Sequence, residues 1–293
     1  MERERVTMAS RVLRNLKGRG LRLAAWAGAV AVAGLLSAAA VAQPDGRTEA
    51  VKPPSPDHPY PELWSGSHFA AKDTQEMQDD EIANPAMSWY DVGEELWSKR
   101  EGEANKSCQD CHGDAAKSMK NVGATYPIYY TPWKKLINVE NRINLCREKF
   151  MKAPPWKYDS DDMLGMTIYV KSQSRGVPVN VAIDGPAKPF FEEGKAFYEQ
   201  RRGQLDFACS NCHTKYWGQK IRMDTLSQGQ SNGFPTYRLK WQKPGSLHRR
   251  FVACNSLVRS TPFKPGSDEY VNLELYLAWR GQGLPVETPS VRH

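Results

Sequence analysis

Three features of this 293-residue chain predict a mainly α-helical fold of two tandem domains, related by duplication and preceded by an N-terminal extension. A Cys-x-x-Cys-His motif occurs twice, as Cys108-Gln109-Asp110-Cys111-His112 and Cys209-Ser210-Asn211-Cys212-His213. The residues flanking the two copies repeat. Apolar residues on either side of each copy recur at helical spacing. In such a motif the two thiols form thioethers to haem vinyl groups and the histidine is an axial iron ligand. Helix, motif, ligand-bearing loop and closing helix is the order of a class I cytochrome c domain. The expectation is therefore two such domains, each holding one covalently bound c-type haem.

The chain opens like an export signal. Arg3, Arg5, Arg11, Arg14, Lys17, Arg19 and Arg22 precede an apolar run from Leu23 to Leu36, and Ala40-Val41-Ala42 matches an A-x-A cleavage site. An apolar core of about 14 residues is short for a membrane span, which needs roughly 20. Residues 1–42 read as a signal peptide, and the mature chain as periplasmic with no membrane span. The signal's seven basic and two acidic residues account for +5 of the chain's net charge of +7, leaving about +2. With no basic stripe interleaved with aromatic residues, a nucleic-acid partner is not expected.

Residues 43–80 are rich in proline (Pro53, Pro54, Pro56, Pro59, Pro61) and predict an extended arm that wraps a neighbour or the first domain. From Trp89 the chain repeats itself. Gly93, Trp97, Arg100 and Gly102 match Gly194, Tyr198, Arg201 and Gly203 at an offset of 101. Past the motifs the offset is 108, and Tyr126, Pro127, Tyr129, Trp133, Arg142 and Cys146 match Phe234, Pro235, Tyr237, Trp241, Arg250 and Cys254. Tyr169 and Pro178 then match Tyr276 and Pro285. The predicted domains are 81–183 for the first haem and 184–293 for the second. Opening helices are expected over Asp91–Lys99 and Glu192–Gln200, and closing helices over Asp161–Ser174 and Asp268–Arg280.

A zinc half-site or a disulfide oxidoreductase is a poor fit to two equivalent motifs in an exported chain without a βαβ pattern. The sixth iron ligand should occupy matching positions in both halves. Met151, Met163 and Met166 align with Arg259, Tyr270 and Leu273, and His248 aligns with Glu140, so none of these repeats. Met119 and Met223 lie too close to their motifs to reach the opposite haem face. Cys146 and Cys254 do repeat, in the loop expected before each closing helix. A Cys146–Cys254 disulfide is the ordinary fate of two spare cysteines in an oxidising compartment. The repeat favours a thiolate ligand at each haem instead. Arg142 and Arg250 stand four residues before these cysteines. A guanidinium there suits a forked grip on an oxyanion, or an ion pair with a haem propionate. Lys220, Arg222, Arg238 and Lys240 extend positive charge near the second site.

Two motifs, a further cysteine in each half, and Arg250-Phe251-Val252-Ala253-Cys254 resemble the SoxA subunits of SoxAX cytochromes over essentially the whole mature chain. With Cys108, Cys111 and His112 intact, the chain resembles the dihaem form. The resemblance implies that Cys254 ligates the active-site haem and carries sulfur as a persulfide, and that Arg250 binds thiosulfate. It implies an L-cysteine S-thiosulfotransferase that joins thiosulfate to a cysteine of a SoxYZ-like carrier. Electrons would pass to a single-haem SoxX-like subunit, and on to a downstream cytochrome c. His112 and Cys146 would be the axial pair of the first haem, His213 and Cys254 that of the second. The alternatives are a thiosulfate dehydrogenase forming tetrathionate and a plain dihaem electron carrier.

Overall fold

The computed structural model describes residues 49–293, so the expected export signal and the start of the arm lie outside the described residues. The arm ends in helix α1 (Lys72–Asp79). The first half follows as α2 (Met87–Ser98), the motif helix α3 (Cys108–His112), and two single turns, α4 (Ala115–Ser118) and α5 (Val122–Thr125). A hairpin of β1 (Ile128–Tyr130) and β2 (Lys135–Ile137) leads into α6 (Val139–Cys146), and α7 (Asp161–Ser172) closes this half. The second half runs in the same order. It has α8 (Lys188–Glu199), a π-helical turn Asn211–Lys215 at the motif, and a small hairpin β3 (Lys220–Ile221) with β4 (Asp224–Thr225). Then come β5 (Thr236–Arg238), β6 (Lys243–Gly245), α9 (Leu247–Leu257) and α10 (Asp268–Arg280). Strand β7 (Ser290–Arg292) adds parallel to β5.

Side-chain caps set several of these elements. Ser107 and Asp110 form a reciprocal capping box on the motif helix α3, and Asn138 and Asn141 do so on α6. Ser160 and Ser246 cap α7 and α9. The opening helices begin earlier than the spacing of apolar residues predicts. In α8, Pro189 sits in the first turn, where its missing N–H costs nothing.

Opening and closing helices cross at backbone contact. A Cβ added to Gly93 would lie 2.2 Å from the Gly165 carbonyl oxygen, and one added to Gly194 would lie 2.1 Å from that of Asn272. Only glycine permits this approach. Around the crossings, Leu96, Trp97, Met166, Tyr169 and Val170 form one core, and Phe197, Tyr198, Leu273, Tyr276 and Leu277 belong to the other.

The two halves pack as parts of one body, and their contacts are reciprocal. Lys135 of the first half pairs with Asp268 of the second at 2.7 Å, and the matching Lys243 pairs with Asp161 at 2.7 Å. Two-fold-related copies would make contacts of this kind. Between the halves lie buried Glu140, from α6, and Glu274 and His248, from α10 and α9. The Gly266 N–H donates to His248 Nδ1 at 2.8 Å, so Nε2 carries the proton that His248 shares with Glu274 at 3.1 Å. Burial pushes the Glu140 carboxyl up to about 7, with Glu274 adding to the rise and His248 opposing it.

The arm corrects one expectation. It lies mainly on the second half, with a bond to the first from Arg175 to the Gln78 carbonyl at 3.4 Å, and it includes α1 and a 3-10 turn as well as extended chain. His58 Nε2 sits 3.1 Å from the Arg280 carbonyl oxygen, Gln78 accepts from the Val291 N–H at 3.1 Å, and Ser65 donates to buried Glu287.

Two outcomes follow. Gly194→Ala forces α8 and α10 apart and should cost about 1–3 kcal/mol or more, read as a lowered thermal midpoint. For Glu140, the unfolded chain loses its proton near pH 4.5 while the folded protein holds it to about 7. The penalty therefore grows as pH rises through that window and is complete above it. Glu140→Gln should raise the unfolding free energy at pH 8 by at most roughly 3 kcal/mol, read as a higher thermal midpoint, and leave it nearly unchanged at pH 4.

Candidate functional site

Cys254 lies on α9 one helical turn after Arg250, and Cys146 is the last residue of α6, one turn after Arg142. The expectation of a ligand loop is thus corrected. Asn138 and Ser246 cap helices that begin well before the cysteines, so both cysteines ride on helices. A spacing of four residues then puts each arginine and its cysteine on one helix face.

Each of these cysteines faces its own motif. Burial pushes the Cys209 thiol up to about 12, and the neighbouring Cys254 sulfur adds to the rise. Cys212 is raised by burial and again by Cys254. In the first half, burial and then Cys146 push Cys108 up to about 11. Cys146 itself is raised by burial, with Cys111 adding and Arg142 opposing. No disulfide joins Cys146 to Cys254.

The motif histidines are prepared as neutral donors. Burial pulls His213 down to about 4, with Arg250 and Arg280 pushing the same way. Its Nδ1 lies 2.9 Å from the Ser227 carbonyl oxygen, which fixes the proton there and leaves Nε2 as the free donor. His112 is lowered by burial and by Arg142. Trp97 lies against it, with ring centroids 5.9 Å apart, and donates through Nε1 to the Gly113 carbonyl at 3.0 Å. Among the described residues no group of three or more His, Cys, Asp or Glu side chains converges as a bare-metal site. Two thiols for a porphyrin edge, an anchored imidazole and a third thiol facing them fit a c-type haem in each half.

The two sites differ in charge. Arg238 is lowered to about 10, by burial first and then by the Arg250 charge, and Cys254 acts on it as well. It stacks over Trp241 with 5.3 Å to the ring centroid, and its buried Nε has no hydrogen-bond partner among the described residues. At the matching place in the first half stands Tyr130, with the Arg142 guanidinium 5.6 Å over its ring. Of the other predicted basic residues, Lys240 is held by Asp224 at 2.8 Å, and Lys220 and Arg222 are exposed.

Two residues of the second site had no signal in the sequence. Tyr60, on the arm, donates its hydroxyl to the His213 carbonyl oxygen, and Arg280, at the end of α10, donates to that hydroxyl. Gln228 ties the arm to the same place, accepting from the Trp64 N–H at 2.9 Å and donating to the Glu62 carbonyl at 3.0 Å. A tyrosine in a proline-rich stretch and an arginine in a last helical turn read as surface residues until the fold buries them.

Comparison with known proteins agrees with this geometry. Residues 92–179 match the model of the SoxA/TsdA cytochrome c domain. The L-cysteine S-thiosulfotransferase subunit SoxA of Pseudaminobacter salicylatoxidans is 47% identical, over 80% of this chain and 82% of its own. This chain belongs to the SoxA family. The SoxA subunit of Rhodovulum sulfidophilum is 44% identical over 91% of this chain and 97% of its own. The fold also matches a crystal structure of SoxXA from P. pantotrophus, with a TM-score of 0.77 and 43% identity, covering 80% of this chain and 88% of that one. The family carries covalently bound c-type haem, in keeping with the donor sets. Among the described residues no helix is long and apolar enough to cross a membrane.

Tyr60→Phe removes a hydroxyl that both accepts from Arg280 and donates to the motif backbone. It should destabilise the fold by about 1–3 kcal/mol, measured by denaturant unfolding followed through far-ultraviolet circular dichroism.

Proposed function

We propose that this chain is the haem-bearing catalytic subunit of an L-cysteine S-thiosulfotransferase, with its active site at Cys254. The observation that carries this is the pair of arginines, Arg250 and Arg238, set against a thiol that faces the second haem motif. Thiosulfate is a dianion, and two guanidiniums attract and orient it where one would leave half its charge uncompensated. The first site has Arg142 and Tyr130 in the same places, which favours the second site for catalysis and leaves the first as a structural or electron-storing centre.

In the overall reaction, thiosulfate and a carrier cysteine thiol form a cysteine S-thiosulfonate, releasing one proton and two electrons. The bond formed joins the carrier sulfur to the outer sulfur of thiosulfate. Arg250 and Arg238 hold the sulfonate end, so the outer sulfur points at Cys254. Cys254 serves as the covalent sulfur relay: its thiolate would bond the outer sulfur of thiosulfate with release of the two electrons, and the carrier thiol would then attack that outer sulfur, displacing the Cys254 thiolate and losing its proton, which divides one difficult step into two. Bound haem supplies acceptance of the electrons one at a time. His112 with Cys146 would hold the iron of the first haem and His213 with Cys254 that of the second; Cys108 and Cys111, and Cys209 and Cys212, would form the thioethers.

The SoxXA structure supports a heterodimer with a SoxX-like subunit; a single haem in that subunit, a SoxYZ-like carrier and a periplasmic setting are what the sequence resemblance and the export signal imply. The electrons leave to a downstream cytochrome c. The two haem halves are 81–183 and 184–293, read as a duplicated domain and supported by the reciprocal lysine–aspartate pairs.

Thiosulfate-dependent turnover with a SoxYZ-like carrier tests the proposal. Cys254→Ala should lose at least about 100-fold in rate, and Arg250→Ala a similar factor, as for removal of one charge-stabilising donor. Cys146→Ala should stay within a few-fold of the unaltered protein. Equal losses in the two cysteine variants, or tetrathionate as the product without carrier, would overturn it.

A further inference from the structure

Arg280 is fully buried, yet among the described residues it forms no ion pair with a carboxylate. Its Nη2 donates to the Tyr60 hydroxyl, to Thr214 Oγ1 at 3.2 Å and to the Gln228 carbonyl at 3.3 Å. Its Nε and Nη1 are buried without hydrogen-bond partners. The rings of Tyr198, Tyr60 and Tyr276 surround the guanidinium, at 4.3, 4.9 and 5.8 Å from their centroids. Cation–π contact with three rings offsets part of the lost hydration but leaves the positive charge in place.

The location of this charge is specific. Thr214 follows the motif residue His213, and Gln228 follows Ser227, whose carbonyl accepts from His213 Nδ1. Through Tyr60 the guanidinium also reaches the His213 carbonyl oxygen. Arg280 therefore braces both chain segments that fix the imidazole. The guanidinium is closed off from solvent. In the first half the matching residue is Gln173, a neutral amide that donates to the Tyr169 carbonyl at 3.0 Å. The first site thus lacks this charge.

We infer that Arg280 is a positioning residue whose buried positive charge sets the redox potential of the second haem. This rests on the reading that His213 ligates that haem. Reduction adds one electron, with its negative charge, and takes up no proton. A fixed cation in a low-dielectric surround stabilises the reduced form and shifts the midpoint upward. A thiolate ligand shifts it downward, so Arg280 counteracts that effect at the one haem proposed to receive electrons from sulfur chemistry. The charge acts through His213 and its bracing segments, without touching substrate.

The test is a spectroscopically resolved redox titration of the dihaem protein with Arg280→Gln and Arg280→Lys. Intact mass and haem content, measured alongside, report separately on whether haem is attached at the second motif. Arg280→Gln should retain both haems and move the second midpoint negative while leaving the first unchanged. Arg280→Lys should stay close to the unaltered protein. A second midpoint unmoved in Arg280→Gln, or lowered equally in Arg280→Lys, overturns the inference.

Discussion

The backbone contact between opening and closing helices is the constraint on which both sites depend. At Gly93 and Gly194 a single methyl group would collide with a carbonyl oxygen of the partner helix. The crossing brings Trp97 and Tyr198 beside the motifs and holds Tyr169 and Tyr276 against them. From that base the chain turns into the motif and returns through α6 or α9, which carries the third cysteine back across. Thiol, imidazole and arginine then converge because two helices cannot separate, and no long loop has to be ordered around the haem.

The two halves run through their elements in the same order, yet their two sites are chemically unlike. The second has Arg238 where the first has Tyr130, and Arg280 where the first has Gln173. It alone is strapped by the arm, through Tyr60 and Gln228. Positive charge accordingly gathers at the second motif, part of it half-buried in Arg238 and Arg250 and part sealed in the core in Arg280.

Much of this was legible in the sequence because covalent haem chemistry demands an unusual motif and because repetition exposes which positions matter. The closing helices and the Arg–Cys spacing were readable. The helical setting of Cys146 and Cys254 was missed, although Asn138 and Ser246 stand in the chain as capping residues. What stayed hidden depends on contacts between distant segments. The arm docks on the second half through pairings such as His58 with Arg280 and Ser65 with Glu287, more than 200 residues apart. Glu140 and His248 align in the repeat as an unmatched pair, and only the packing of the halves shows that they meet across a common interface.

The central claim, that each third cysteine completes the ligation of its own haem, is tested most directly by electron paramagnetic resonance. The oxidised protein is to be compared with its Cys146→Ala and Cys254→Ala variants. The account predicts low-spin histidine/thiolate signals from two haems, with a different one lost in each variant. Histidine/methionine signals at both haems, or an unchanged spectrum in either variant, would contradict it.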